Sequence, residues 1–390
     1  LMFLKILEGL NLMSDRSDNV VKFFISLIGL VVIFTVLKEL QFIFIPFVIA
    51  VFLYFVFEPL NRVLDRKKVP FPLIIISNLI LIVGVVWGVS RIIVESFSRF
   101  GNELPVYEQK LNNIVRATAM SFGLSDEFFT RFDLRSILLD LDYGGIAGDF
   151  FSTTLSFFST VFFVLFFFIF VSSGYKRIVN VIKNRYVQNN IRSTVKKIEE
   201  TVKEEETGED EKPVAVRIEE FKTRQEISIE RTFRAITDNV QKYIATKFFV
   251  SFLVGLFVGL ILWIFGIDFF IVWAVLTFLL NFIPNIGSII AVIHPALMSL
   301  IQYESFGYTL IITGIMVSIQ ATIGNIIEPK LYGDRLGINP LVILLALLLW
   351  GYIWGLVGMF IAVPLTAVGK IIMSNSRSPN LHFISELMEN

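Results

Sequence analysis

The sequence predicts an all-α, polytopic helical membrane protein with two inverted, Gly/Pro-broken hairpin-like repeats and small soluble helical segments. Composition is the first observation behind it: 55% of the 390 residues are hydrophobic and the mean hydropathy is +0.73, beyond the range of soluble domains. The second is the run from Phe157 to Val171, which is almost continuously apolar and lacks the alternation of a barrel strand. The third is an internal repeat with a period of 71 residues.

The apolar stretches place the membrane crossings in order along the chain. The candidates are 23–37, 41–57, 71–90, 151–172, 248–265 and 306–327, together with two broken regions at 268–303 and 338–373. The first two crossings are short and close together, so they form one tilted pair, a tight hairpin or two helices. We favour two helices, with Pro46 kinking the second.

Lysine and arginine determine the orientation, because basic loops stay on the cytoplasmic side. If the N-terminus is cytoplasmic, the inner segments carry 27 of the 34 basic residues. Both termini are therefore expected in the cytoplasm, and the membrane is expected to be a bacterial or archaeal cell membrane, with lipid as a partner. Residues 1–22 show no cleavable signal peptide pattern.

The spans divide the chain into six segments. These are N-terminal scaffold helices at 1–90, an extracytoplasmic amphipathic segment at 91–150, a membrane helix at 151–174, a charged cytoplasmic segment at 175–247, a transport core at 248–373 and a cytoplasmic tail at 374–390. Within the charged segment, 196–226 holds 11 acidic and 7 basic residues. We expect it to be solvated and partly disordered, and an acidic cluster of this kind is more often a charged face than a cation site.

The repeat is the strongest functional signal. Gly266-Ile-Asp268, Gly287 and Ala291-Val292 recur as Gly337-Ile-Asn339, Gly358 and Ala362-Val363. Paired, interrupted apolar segments indicate a transporter site, because broken helices free backbone groups to bind a solute. Thirty-six helical residues extend about 54 Å, enough for two crossings or for a re-entrant hairpin. Since 306–327 crosses once between them, the two repeats are inverted.

The first broken region contains the main candidate site. Pro284 lacks a backbone donor and Gly287 permits unusual backbone angles, so the carbonyl groups around Leu280 and Asn281 should be freed. The proposed substrate or ion ligands are Asn281, Pro284, Asn285, Gly287 and Ser288. The alternative is a kinked helix whose asparagines bond a neighbouring helix.

A second polar group ends the 306–327 crossing at Gln320, Asn325 and Glu328. Asn325 and Glu328 are three apart and should share a helix face. A carboxylate this close to hydrocarbon marks a functional site or pairs with a base such as Lys330 or Arg335. If buried, Glu328 is the leading candidate to carry a coupling proton.

The second broken region supplies Asn339, Gly358 and Pro364. The Asn339 side chain, followed by Pro340, is expected to cap the helix that begins there. Asp334 and Arg335 in the preceding link are expected to anchor it or to gate access.

His294 is a lone intramembrane histidine, which a hydrogen-bonded structural role explains better than a proton relay. The sequence contains no GxxxxGK[ST], HExxH or GxSxG motif, so neither an enzyme nor an ATP-driven pump is expected. We expect no metal and no cofactor beyond a coupling ion, H⁺ or Na⁺. The zero net charge gives no indication of a nucleic-acid partner.

Four motifs together resemble the autoinducer-2 exporter family of bacterial and archaeal membrane proteins. They are Phe282-Ile-Pro-Asn-Ile-Gly287, Gly324-Asn-Ile-Ile-Glu-Pro329, Leu336-Gly-Ile-Asn-Pro-Leu341 and Gly358-Met-Phe-Ile-Ala-Val-Pro-Leu365. The resemblance implies a homo-oligomeric secondary transporter, with a pentamer as one option. It also implies an elevator motion, in which the 268–373 core slides against the early helices.

Three functions follow as hypotheses. The first is gradient-driven export of a small polar solute or signalling molecule of the autoinducer-2 kind, and the second is a Na⁺ or Li⁺/proton antiporter that uses the same residues. The third is a membrane scaffold whose acidic segment 196–226 recruits a cytosolic partner.

Overall fold

A computed structural model describes residues 21, 24–123, 132–133, 153, 156–175, 177–181, 214–284, 286–332, 338–374 and 379–389. The helices are α1 (24–39), α2 (Gln41–Arg66), α3 (Phe71–Ser121), α4 (Ser156–Tyr175), α5 (Val214–Ile264), α6 (Phe270–Leu280), α7 (Ile286–Tyr303), α8 (Phe306–Thr322), α9 (Glu328–Tyr332), α10 (Pro340–Ser374) and α11 (Pro379–Leu387). A π-helical turn, Ile323–Ile327, joins α8 to α9. Seven helices in the described part of the chain are long and apolar enough to cross a membrane. The all-α membrane fold is confirmed.

Two helices extend far beyond a membrane span. Helices α3 and α5 have 51 residues each, which is about 76 Å at 1.5 Å per residue, against a hydrocarbon core of about 30 Å. The apolar part of α5 is Thr237–Ile264, and its charged N-terminal half continues the same helix. Helix α3 likewise runs past position 90, where the predicted span ends, without interruption.

Helices α1 and α2 are separate but nearly continuous. They meet at Leu40, whose backbone angles (φ −93°, ψ 22°) leave the helical region. The Leu40 N–H still bonds the Val36 carbonyl at 2.9 Å, and its own carbonyl accepts from Ile43 and Phe44. Helices α1 and α2 are therefore joined by a one-residue interruption at Leu40, and they do not form the tight hairpin that the spacing also allowed.

The first repeat is a re-entrant hairpin, hairpin 1, formed by α6 and α7. Its start and end lie side by side: the Gln302 side chain accepts from the Asp268 N–H at 2.9 Å and donates to the Gly266 carbonyl at 2.8 Å. The Tyr303 hydroxyl donates to the Phe265 carbonyl at 2.8 Å. With 11 residues, about 16 Å, α6 is too short to span the bilayer. Of the two alternatives for residues 268–303, two full crossings or a re-entrant hairpin, the short α6 supports the re-entrant hairpin.

A close contact seals the turn of hairpin 1. A Cβ atom on Gly287 would overlap the carbonyl oxygen of Leu280, seven residues earlier. In a straight helix, residues seven apart are separated by about 10 Å along the axis. Only glycine allows the returning leg to lie this close to the leg that precedes it.

The second repeat, hairpin 2, turns within α10. Trp354 (φ −128°, ψ 17°) and Gly355 (φ 60°, ψ −141°) interrupt the helix, and the positive φ of Gly355 favours glycine. A Cβ on Gly358 would overlap the carbonyl oxygen of Trp350, as in hairpin 1. The C-terminal segment closes the open end, because the Asn339 N–H bonds the Met388 carbonyl at 2.9 Å and Lys370 pairs with Glu389 at 3.3 Å.

The tips of the two hairpins meet. The rings of Phe282 and Phe360 stack with centroids 4.1 Å apart, and Phe52 of α2 contacts both edge-on. Ile283 of hairpin 1 packs in one buried cluster with Ala346, Leu347 and Ala362 of hairpin 2. Since α8 crosses between the hairpins, their tips approach each other from opposite membrane faces.

Candidate substrate and coupling site

One face of α5 organises the polar groups near hairpin 1. Lys247, Ser251, Gly255 and Gly259 follow each other at intervals of four residues, so they form one ridge along the helix. The two glycines receive α6: a Cβ on Gly255 would lie 2.8 Å from the Ala274 carbonyl oxygen, and one on Gly259 2.7 Å from the Ala274 Cβ. Small residues at this spacing let membrane helices approach closely. The ridge therefore fixes hairpin 1 against α5.

Lys247 and Glu328 form a largely buried ion pair. The Lys247 Nζ lies 2.6 Å from the Glu328 Oε1, and the two side chains are 8% and 19% exposed. Burying either charge alone would be costly, and the pair supplies the compensation. Of the two bases that the sequence offered, Lys330 is exposed and Arg335 lies outside the described residues. The described partner, Lys247, comes from 81 residues earlier.

The π turn sets the orientation of this carboxylate. A π turn has i→i+5 hydrogen bonds and so holds more residues than an α-helical turn, which rotates Asn325 away from Glu328. Asn325 is exposed, whereas Glu328 contacts α5. The predicted shared face of Asn325 and Glu328 is therefore wrong. Gln320, in the α-helix before the turn, is half-buried.

A second polar group lies one turn along the α5 ridge. The Asn281 amide donates to the Ser251 hydroxyl at 3.0 Å, and Ser251 is fully buried. Thr277, four residues before Asn281 on α6, is 1% exposed, and its hydroxyl has no hydrogen-bond partner. The unpartnered hydroxyl of Thr277, one helical turn from Asn281, is a candidate partner for a polar solute, since leaving it unpaired costs about 1–3 kcal/mol.

The turn of hairpin 1 is more fully bonded than predicted. The Leu280 carbonyl accepts from the Ile283 N–H at 2.9 Å, so its expected freedom is wrong. None of the backbone N–H groups in the described residues donates to the Asn281 carbonyl. Pro284 and Ser288 are half-buried at the turn, and Asn285 lies outside the described residues.

In hairpin 2, the predicted helix cap is confirmed. The Asn339 Oδ1 accepts from the Leu341 N–H at 2.9 Å, directly after Pro340 begins the helix. Gly358 is buried at the turn and Pro364 half-buried in the returning leg. Asp334 and Arg335, the predicted anchoring or gating pair, lie outside the described residues.

His294 is hydrogen-bonded to the helix that carries it, as the structural role favoured by the sequence requires. Its Nδ1 lies 2.8 Å from the Ile290 carbonyl oxygen, and its ring lies 6.1 Å from the Trp273 ring. Among the described residues, no group of three or more His, Asp or Glu side chains is arranged to hold a metal ion.

A polar latch holds the open end of hairpin 1 against α3. The Tyr107 hydroxyl lies 2.9 Å from the Asp268 carboxylate and 2.5 Å from that of Glu103, and Tyr107 is 7% exposed. One turn along α3, the Lys110 ammonium donates to the Gln302 carbonyl at 2.5 Å. The latch therefore joins the segment after the α3 membrane span to both legs of hairpin 1.

Tyr107→Phe is expected to loosen this latch, because it removes the hydroxyl that lies between the Asp268 and Glu103 carboxylates, a part-buried hydrogen bond worth about 1–3 kcal/mol. The chain has no cysteine, so Ser305→Cys introduces a single label site beside the hairpin's open end. Maleimide should label Ser305→Cys faster in the Tyr107→Phe background. Tyr352→Phe, at an exposed tyrosine, is the control; equal labelling rates in both backgrounds would contradict the latch.

Sequence reasoning missed Lys247, Ser251, Thr277 and Tyr107. Lys247 was assigned to the cytoplasmic segment 175–247, at the border of the next span. The four-residue spacing of Lys247, Ser251, Gly255 and Gly259 is visible in the sequence and could have identified the ridge. Thr277 and Tyr107 carry no such signal.

Comparison with known proteins shows which family this chain resembles. The model of the AI-2E family transporter matches residues 24–205 and 214–378. Two similar proteins carry the name "Putative transport protein": one from Borreliella burgdorferi, 46% identical over 141 residues (36% of this chain, 39% of that protein), and YhhT from Escherichia coli K12, 39% identical over 138 residues (35% and 39%). The AI-2 transport protein TqsA of Escherichia coli K12 is 38% identical over 143 residues (37% and 41%).

The matched segments span about two fifths of the length of these relatives. The family match, in contrast, extends over most of the 390 residues and includes both hairpins. The chain belongs to the AI-2E family of transporters.

Proposed function

We propose that the chain is a gradient-driven secondary transporter that exports a small polar solute. The observation that carries the proposal is the pair of re-entrant hairpins whose tips meet. In each hairpin a glycine, Gly287 or Gly358, lies against a backbone carbonyl of the preceding leg. Broken helices that meet within the bilayer are where secondary transporters hold their cargo. TqsA is named an AI-2 transport protein. A small polar solute matches the amide and hydroxyl groups of Asn281, Ser251 and Thr277.

The proposed ligands are the side chains that face α5 at the turn. Asn281 and Ser251 already bond each other, and the buried hydroxyl of Thr277 offers an unused donor and acceptor. Lys247 lies one turn along the same ridge and, with its partner Glu328 of α9, is the proposed coupling group. A proton or a sodium ion that displaced Lys247 from the carboxylate would link ion binding to movement of this end of α8.

Transport is proposed to occur by an elevator-type motion. The hairpins and α8 would move together, and the scaffold would consist of α1 to α4. The aromatic contact of Phe52 with Phe282 and Phe360 is the barrier that has to slide or separate. The Trp354 indole also donates to the Leu37 carbonyl at 2.8 Å, which ties the tip of hairpin 2 to the end of α1. The assembly is proposed to be a homo-oligomer in a prokaryotic cell membrane, with both termini in the cytoplasm.

The test is transport of labelled autoinducer-2 by the purified full chain in proteoliposomes with an imposed pH gradient. Wild-type vesicles should accumulate the solute, and Thr277→Val should raise the half-saturating concentration about tenfold through loss of one hydrogen bond. Thr160→Val, whose hydroxyl bonds only the Ser156 carbonyl on α4, should leave transport unchanged. No gradient-dependent uptake by the wild type would overturn the proposal for this solute.

The carboxylate of Glu328 favours a second candidate, a sodium or lithium/proton antiporter, because an acidic group within the bilayer can exchange cations and protons. In the same vesicles, this function predicts an internal pH change on adding Na⁺ or Li⁺ without any organic solute. A pH change that needs the solute would reject the second candidate and support the first.

A further inference from the structure

A small cavity lies among α2, α3 and α4. Its volume is about 20 Å³, enough for one water-sized occupant. It lies at the end of α2 that precedes the basic loop 66–68. The polar side chains lining it are Tyr54, Glu58, Asn61, Asp65, Asn78 and Ser172.

Two buried oxygen atoms in this lining lack hydrogen-bond partners. Asn78 is 1% exposed; its amide nitrogen donates to the Asn61 Oδ1 at 2.8 Å, and its own Oδ1 accepts from no group. Ser172, from the facing helix α4, is 7% exposed, and its Oγ is also unpartnered. Each unpaired buried polar atom costs about 1–3 kcal/mol, so the arrangement suits an occupant that contacts both oxygens.

The chemistry of the lining favours a cation. Every polar group around the cavity offers oxygen, two of the residues are acids, and no lysine or arginine lines it. Oxygen ligands are those that hard cations prefer. Mg²⁺ usually keeps several bound waters, and Ca²⁺ takes six to eight oxygen ligands. A cavity that holds one water-sized occupant is too small for either arrangement. The Glu58 carboxylate also pairs with Arg62 at 3.2 Å, which lowers the net negative charge at the site.

We propose that this cavity binds one small dehydrated monovalent cation, of the sodium class, through the Asn78 Oδ1, the Ser172 Oγ and the Glu58 carboxylate. The ion joins α2, α3 and α4, which contribute one ligand each. It also acts on α5, because Arg62, held by Glu58, donates to the Gln241 Oε1 at 2.7 Å. This site is separate from the hairpin tips and does not depend on the proposed transport function.

The test is equilibrium binding of ²²Na⁺ to the purified full chain, with choline chloride keeping ionic strength constant. Saturable binding of one ion per chain is expected, with competition by unlabelled Na⁺ and Li⁺. Ser172→Ala should weaken binding at least tenfold, and Asn78→Ala should do the same. Ser173→Ala is the matched control, because that exposed hydroxyl bonds the Ile169 carbonyl on the same helix and should leave binding unchanged.

Folding of the variants is checked by apparent Tm in choline, where Ser172→Ala should equal or exceed the wild type because it removes an unpaired buried hydroxyl. Adding Na⁺ should raise the Tm of the wild type and of Ser173→Ala, but not that of Ser172→Ala.

Absence of saturable binding, or equal binding by Ser172→Ala, would mean that water fills the cavity and would overturn the proposal. If Glu328→Gln lost ²²Na⁺ binding while Ser172→Ala and Asn78→Ala kept it, the ion would bind near hairpin 1. That result would also overturn the proposal. Since ²²Na⁺ binding needs no transport, failure of the transport assay leaves this test unaffected.

Discussion

Replacing Gly287 or Gly358 by alanine is expected to abolish transport and to lower the free energy of unfolding by about 3 kcal/mol or more. Each added methyl group would overlap the carbonyl oxygen of Leu280 or Trp350. Overpacking costs about 1–3 kcal/mol where side chains can shift, and a backbone carbonyl cannot rotate aside without deforming the turn. The two legs of the hairpin would have to separate, which would disturb the contact between the tips.

Alanine at Gly314 in α8 and at Gly369 in α10 provides the controls. A Cβ at either position meets no atom within 4 Å, and glycine-to-alanine changes inside helices gain up to about 1 kcal/mol. Apparent Tm in detergent, measured at one scan rate, and transport in proteoliposomes are the measurements. If Gly287→Ala behaved like Gly314→Ala in both, the closed turn would not be needed for function.

Breaking the Lys247–Glu328 pair is the change with the second largest expected effect. Lys247→Met leaves a carboxylate largely buried without its base, and Glu328→Gln leaves an ammonium without its acid. Loss of one partner from a buried pair costs about 3–5 kcal/mol; the lower end applies here, because Glu328 is 19% exposed and water screens it in part. Glu328→Gln should also uncouple solute movement from the pH gradient.

The double variant Lys247→Met, Glu328→Leu separates stability from function. An apolar pair of similar size removes both unpaired charges, so the apparent Tm should return to near the wild-type value. Transport should remain lost if the pair carries the coupling charge. Coupled transport at the wild-type rate in the double variant would show that the pair only holds α5 against the end of α8.

Local sequence signals predicted the interruptions of the fold well. The recurrence of Gly287 as Gly358 correctly located both hairpin turns, since glycine acts on the backbone within a few residues of itself. Asn339 before Pro340 predicted the helix cap for the same reason. The length of 268–303 did not distinguish two crossings from a re-entrant hairpin, because both fit and both bring the two ends to one face. The 11 residues of α6, too few to span the bilayer, decided it.

Pairings between distant segments were not predictable in this way. Lys330 is near Glu328 in sequence, but the π turn and the packing of α9 on α5 bring Lys247 to it instead. Asn78 of α3 and Ser172 of α4 line the same cavity only because the tertiary structure brings these two helices to it. The sequence by itself determined that the protein is helical, lies in a membrane and breaks its helices at two matching places, because hydropathy, proline and glycine act locally. The tertiary structure alone decided which polar groups meet, because in lipid each buried charge or hydroxyl must find its partner on whichever helix lies beside it.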